Sequence, residues 1–73
     1  MSQFYNIREG QHYVLTLRTT RPLLHDSLQQ NEPIEIRVLR IMPTNFEAEV
    51  LGRSIPTQIV LKRALDEGLI ELR

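Results

Sequence analysis

The sequence predicts a small, mainly β domain with one or two short helices, that is, a small α+β fold. Apolar and polar residues alternate with a period of two in several segments, and turn-forming residues separate these segments. The chain has 73 residues and no cysteine, so its small core must be stabilised by packing, by association, or by both. No linker or repeat divides it, and we expect residues 1–73 to form one domain.

A strand and then a short helix are expected in the first half of the chain. Tyr13, Leu15 and Leu17 alternate with Val14, Thr16 and Arg18, a period of two that is typical of a strand with one polar edge. Two threonines then precede Pro22, and Leu24 and Leu28 lie four residues apart. A threonine cap with proline in the first turn is typical of a helix start, so the pattern predicts a helix within residues 21–30.

The central part of the chain predicts a β-hairpin. Apolar residues alternate with charged ones over residues 34–38 and again over residues 46–50, and the β-branched residues among them suit a half-buried sheet. Residues 42–45, Met-Pro-Thr-Asn, have the composition of a turn. The polar face of such a hairpin would carry oppositely charged cross-strand partners, Arg37 and Arg40 opposite Glu47 and Glu49.

The segment from residue 57 to residue 67 allows two interpretations. In the first, Thr57 caps a helix that spans residues 57–67 and ends at Gly68. In the second, Ile59 and its neighbours form a strand, and a helix begins only near Arg63. Periodicity alone does not decide between them for so short an apolar run. The first interpretation also places a last strand over residues 69–72.

The charge balance and the motif content exclude several classes of function. Nine basic and nine acidic residues cancel, so any site for a polyanion must be a local patch. Eight of the nine cations are arginine, which forms bidentate contacts with phosphates, carboxylates and base edges. His12 and His25 lack partners at metal-ligand spacing, and the pair His25 and Ser27 lacks a third orienting group. We expect no metal, no cofactor and no enzymatic activity.

The sequence also indicates where the protein works. The first ten residues lack the basic start and apolar run of a secretory signal, and no apolar stretch approaches the length of a membrane span. The absence of cysteine suits a reducing compartment. We therefore expect a cytoplasmic protein without a membrane partner.

The order of these features resembles the carbon storage regulator (CsrA/Rsm) family, small translational regulators that bind messenger RNA. The chain differs from the family at Ile7, where the first strand usually carries an arginine, and at Ile55 before the proline. A branch of the family, RsmN, has a helix inserted where residues 21–30 stand. The segments that carry the resemblance are FYN, IREG, YVLTLR, IEIRVLRI, FEAEV, GRSIP and TQIVLKR.

This resemblance implies an intertwined β homodimer that binds GGA-containing RNA loops and regulates translation. It also implies two equivalent RNA sites per dimer, in which Arg63 makes the main contact to a base or phosphate. The implied RNA-binding residues are Asn6, Arg8, Arg53, Ser54, Pro56 and Arg63.

The alternative class of function is a non-enzymatic protein-protein interaction module. In this interpretation a helix over residues 57–67 packs on the sheet, and a sheet edge or the apolar residues of the tail contact the partner. The neutral charge and the alternation of acids with arginines suit a protein partner.

Overall fold

The computed structural model describes residues 7–73, which form a five-stranded antiparallel sheet and one short helix. The sheet order is β4-β3-β2-β1-β5, so the last strand returns to pair with the first. The mainly β fold class predicted from the sequence is confirmed. In chain order the elements are β1 (His12–Leu17), β2 (Ile34–Ile41), β3 (Asn45–Val50), β4 (Gln58–Leu61), α1 (Lys62–Asp66) and β5 (Ile70–Leu72).

The hydrophobic core lies on one face of the sheet. The central strand β2 shows why, because Ile34, Ile36 and Val38 are at most 1% exposed while the intervening Glu35 and Arg37 are exposed. Residues of the loop between β1 and β2 and of α1 cover this face. On the opposite face, called the open face, the side chains of the described strands are exposed or partly exposed, apart from Thr16 at 6% exposure. The buried hydrophobic side chains are Leu15, Leu17, Leu28, Ile34, Ile36, Val38, Phe46, Ala48, Val50, Val60, Ala64 and Ile70.

The predicted hairpin is confirmed as β2 and β3, together with its cross-strand charges. Arg37 lies opposite Glu49, and their side chains form an ion pair with 3.1 Å between Nη2 and Oε1. The register shifts between Val38 and Arg40, so Arg40 is the cross-strand partner of Glu47. This β-bulge places Arg37 and Arg40 on the same face although they are three residues apart.

The strand interpretation of residues 57–67 is confirmed in its main feature. Residues 58–61 form β4, and Val60 pairs with Phe46 in the core at 1% exposure. The helix predicted over residues 57–67 is therefore wrong in its first part and is limited to α1. The β-branched residues favour the strand because β3 offers a ladder partner and a buried site for every second side chain.

Gly68 ends α1, as the helix interpretation expects, through a Schellman motif. Its φ of +75° is in the left-handed region, which glycine adopts without a steric cost. The Gly68 N–H donates to the Leu65 carbonyl at 3.2 Å, and the Leu69 N–H donates to the Ala64 carbonyl at 2.9 Å. The chain thereby reverses and enters β5.

The helix predicted within residues 21–30 is wrong, because this segment forms a series of tight turns. The Arg21 N–H donates to the Thr19 hydroxyl at 3.2 Å, and the Leu23 N–H donates to the Arg21 carbonyl at 2.8 Å. Such short-range bonds replace the helical ladder, since threonine side chains compete for backbone donors. Leu28 is still buried at 6% exposure, so the loop covers the core without being a helix.

Candidate interaction edge

Strand β4 lies at an edge of the sheet, and in residues 7–73 its only strand partner is β3. The Lys62 N–H donates to the Thr44 carbonyl at 3.1 Å, so these two opposite residues are a hydrogen-bonded pair of the β3–β4 ladder. Hydrogen-bonded and non-hydrogen-bonded pairs alternate along an antiparallel ladder. The backbone N–H and C=O groups of Ile59 and the N–H of Leu61 therefore point away from β3, whereas the C=O of Leu61, the N-cap of α1, accepts the first hydrogen bond of the helix.

The side chains of the same two residues are also accessible. Ile59 is 47% exposed and Leu61 is 46% exposed, and they are the exposed large hydrophobic side chains of residues 7–73. They lie on the open face of the sheet, beside their cross-strand partners Glu47 and Asn45. Backbone hydrogen-bonding groups and apolar surface are thus available together on β4.

The opposite edge of the sheet, formed by β5, differs in charge. Glu71 lies at the middle of β5, and its carboxylate pairs with the Arg18 guanidinium at 2.9 Å. Residues 58–61 contain no charged side chain, no proline and no glycine. Exposed edges of natural sheets are usually protected by charge, proline or a bulge, so β4 is the edge suited to accept another strand.

Charges of opposite sign lie at the two ends of β4. At the start, the Thr57 hydroxyl donates to the Glu47 carboxylate at 2.9 Å. At the end, Lys62 and Arg63 follow directly, with the Arg63 Nε 2.9 Å from the Glu67 carboxylate. A partner lying antiparallel along this edge would meet acidic surface near one end and basic surface near the other.

The structure divides the RNA-binding residues implied by the resemblance into two groups. Arg53, Ser54 and Pro56 follow the end of β3, whereas Arg63 follows Leu61, which pairs with Asn45 at the beginning of β3. The length of β3, roughly 16 Å at the usual rise per residue, separates these positions.

Arg8 belongs with Arg63 at the hairpin end of the sheet. The Gly10 N–H donates to the Val38 carbonyl at 2.7 Å, and the Ile41 N–H donates to the Glu9 carboxylate at 2.9 Å. The turn that contains Arg8 is therefore fixed beside the second half of β2. Asn6 lies outside the described residues.

Arg53 is held by an ion pair with Glu32, which connects the loop after β3 to the loop before β2. Its guanidinium also lies 3.4 Å from the Ser27 carbonyl. The hydrogen bond from Arg53, with a second from the Gln29 N–H at 3.1 Å, lowers the pKa of the Glu32 carboxyl below its usual value. Arg53 thus has a structural role that the sequence alone did not indicate.

We expect the Arg53–Glu32 contact to make stability depend on acid pH. A lowered folded-state pKa means that the stabilisation is present above the unfolded-state pKa of glutamate, about 4.3, and is lost as pH falls through the folded-state value. Melting temperatures of the native chain and of Glu32→Gln should therefore differ at neutral pH and converge in acid.

The control for this prediction is Glu35→Gln, because Glu35 is exposed on β2 and makes no ion pair with a described residue. A difference between the native chain and Glu32→Gln that stays constant from neutral to acid pH would contradict the assignment.

Features of an enzyme or metal site are sparse in residues 7–73. Ser27 Oγ lies 2.9 Å from His25 Nδ1, but that nitrogen also accepts the Ser27 backbone N–H at 3.1 Å, which is a local turn. No carboxylate of the described residues is hydrogen-bonded to this imidazole, although a nucleophilic serine requires an oriented base. The described residues contain no metal-binding group of three or more His, Asp or Glu side chains.

Within the part of the chain that the structure describes, no helix is long and apolar enough to cross a membrane. No family model, curated protein or solved structure matches the chain. The β4 edge is the feature that sequence reasoning did not single out. The one feature of the sequence that indicates an unprotected edge strand is the uncharged run from Gln58 to Leu61.

Proposed function

We propose that this domain is a non-enzymatic protein-interaction module that accepts an extended segment of a partner as an additional strand along β4. The observation that supports the proposal is the combination at Ile59 and Leu61. Both residues direct backbone hydrogen-bonding groups outward, and both expose nearly half of an apolar side chain. In this mode of recognition main-chain bonds give affinity and alternate side-chain contacts give specificity.

The state of the arginines supports a protein partner rather than a polyanion. Arg18, Arg37, Arg53 and Arg63 are each paired with a glutamate of the same chain. Half of the eight arginines are thus already compensated, and the net charge of the chain is zero. Nucleic-acid binding gains most of its affinity from uncompensated cations that displace counterions.

We expect peptides selected from a random linear library to bind along β4 and to carry apolar residues at alternate positions. Replacement Ile59→Asp should abolish their binding, because the carboxylate would face the apolar side chains of the added strand. The measurement is a selection on immobilised protein, followed by NMR titration of the selected peptides. Amide shifts should then change at Ile59 and Leu61.

The matched control is His12→Asp, which introduces the same side chain at an exposed position of β1, three strands away in the sheet. It should leave peptide binding unchanged. Peptides that bind both variants equally, or that shift only amides distant from β4, would remove the edge from the proposal.

A second candidate is the RNA-binding translational regulator implied by the resemblance to the carbon storage regulator family. The observation that favours it is the strand at residues 58–61, which the resemblance requires. Arg8 and Arg63 also lie at the same end of the sheet. In this reading the chain acts as a homodimer with two RNA sites, and Arg63 makes the main contact.

For this second candidate, Arg63→Ala should weaken binding of a short hairpin RNA with GGA in its loop at least several-fold. The fold should stay intact, because the Arg63 side chain is 86% exposed and its pair with Glu67 is a surface helix pair. Fluorescence anisotropy at several salt concentrations measures the effect, and binding should fall steeply with salt.

Arg21→Ala is the control, since Arg21 is an exposed arginine in the loop before β2. Equal affinities of the native chain and Arg63→Ala would exclude Arg63 from the RNA site. Absence of any salt-sensitive RNA binding would leave the protein-interaction module as the proposal.

A further inference from the structure

We infer that the partner strand at this edge is β4 of a second copy of this chain, so that the domain assembles by joining two sheets. This inference rests on the proposed function and names the occupant of the same surface. Hydrogen-bond register, apolar contact and charge each support this pairing.

The hydrogen-bonding groups of β4 are complementary to themselves. In an antiparallel arrangement about a two-fold axis at Val60, Ile59 lies opposite Leu61 of the second copy, and Leu61 lies opposite its Ile59. Ile59 directs both backbone groups outward, and Leu61 directs its N–H outward while its C=O is used by α1. Each opposing pair would therefore be joined by the Leu61 N–H of one copy donating to the Ile59 carbonyl of the other, and the two-fold axis produces this bond twice.

The apolar side chains match in the same register. Ile59 and Leu61 of each copy lie on the open face, so the side chains from both copies meet as one apolar cluster at the junction. Cross-strand pairs of aliphatic residues stabilise a sheet, and each copy would cover the surface that the other exposes. The core of each copy stays as it is.

The charges at the ends of β4 are complementary in an antiparallel pair. The Lys62 end of one strand lies beside the beginning of the other strand, and Arg63 next to it is paired with Glu67 of its own chain. At the beginning of the strand the Glu47 carboxylate is held by the Thr57 hydroxyl at 2.9 Å. Position 62 lies opposite Gln58 of the second copy, so the register brings no like charges together. A net charge of zero with a pI near 6.7 leaves little general repulsion between copies at neutral pH.

The decisive variant is Leu61→Pro, which removes one outward backbone donor. Leu61 has φ −76°, which proline adopts, and its N–H points away from β3, so the β3–β4 ladder keeps its bonds. Sedimentation equilibrium should show the native chain approaching twice its mass of 8.6 kDa with rising concentration. Leu61→Pro should remain at the single-chain mass.

Two further variants keep this test interpretable. Ile59→Asp should also stay at the single-chain mass, which covers the case in which the proline variant fails to fold. His12→Asp should associate like the native chain. Circular dichroism of each variant establishes that its fold is retained.

Cysteine crosslinking then measures the register directly, because the chain contains no cysteine of its own. A mixture of Ile59→Cys and Leu61→Cys chains should form mixed disulfides faster than either chain alone forms its own. Faster crosslinking within a single variant would overturn the register.

The outcomes separate this inference from the proposed function. A native chain that stays monomeric at all concentrations, or a dimer that Leu61→Pro leaves intact, overturns the homotypic pairing. If the native chain is monomeric and selected peptides still shift Ile59 and Leu61, only the identity of the partner is wrong. If neither copies nor peptides occupy β4, both proposals fail.

Discussion

Val38→Asp is expected to leave the domain unfolded at room temperature. Val38 is 0% exposed on the central strand β2, so the carboxylate would be buried in an apolar core without a partner. A chain of this size has a stability of about 4–11 kcal/mol at the usual value per residue, and an unpaired buried charge costs several kcal/mol. Far-UV circular dichroism and NMR shift dispersion measure the loss of structure.

Ile59→Asp is the matched control, since it places the same carboxylate on a strand at a position that is 47% exposed. This variant should remain folded and lose far less stability than Val38→Asp, because its carboxylate stays in contact with water and meets only the facing Glu47. A folded Val38→Asp with a melting temperature near the native one would contradict the placement of β2 in the core.

Phe46→Ala is expected to lower the free energy of unfolding by about 3–5 kcal/mol, the usual range for truncating a buried aromatic side chain. Phe46 is 0% exposed and pairs with Ile41 on one side and Val60 on the other, so its removal leaves a cavity between three strands. Urea unfolding followed by circular dichroism gives the change.

Phe46→Leu should lose less stability, because leucine fills part of the same volume. A change below about 0.5 kcal/mol for Phe46→Ala, the range of surface substitutions, would show that this side chain is not a core residue.

The parts of the fold that could be predicted from sequence are those specified by neighbouring residues. The β2–β3 hairpin follows from alternation, a short turn and matched charges, all within residues 34–50. The bulge that aligns Arg40 with Glu47 does not follow from alternation, because a strict period of two would place Arg37 and Arg40 on opposite faces.

The two helix predictions show where local signals are insufficient. Residues 21–30 contain a plausible cap and two leucines four apart, but short-range turns satisfy the backbone there instead. In residues 57–67 tertiary structure favours the strand over the helix, because β3 pairs with this segment and Val60 is buried in the core beside Phe46. Propensity is a weak guide when a neighbouring strand competes for the same segment.

The candidate site was less predictable than the fold. The ion pair of Arg53 joins it to Glu32, 21 residues away, and no local pattern indicates such a pairing. Alternation assigns Ile59 and Leu61 to one face of a strand, yet it does not show which strand lies at the edge. Edge position depends on the order of all five strands.

The pairing of β1 with β5 also has a consequence for how the chain folds. Leu15 is aligned with Leu72, so this ladder closes a loop of nearly the whole described chain. Closing a long loop costs more entropy than closing the hairpin turn, and we expect β2 and β3 to assemble early and β5 last. During translation β1 would emerge long before β5. The edge of β1 that pairs with β5 would therefore stay without a partner until residue 72 is made. Pulse-labelled hydrogen exchange measures this order. The amides of the β1–β5 ladder should become protected after those of the β2–β3 hairpin.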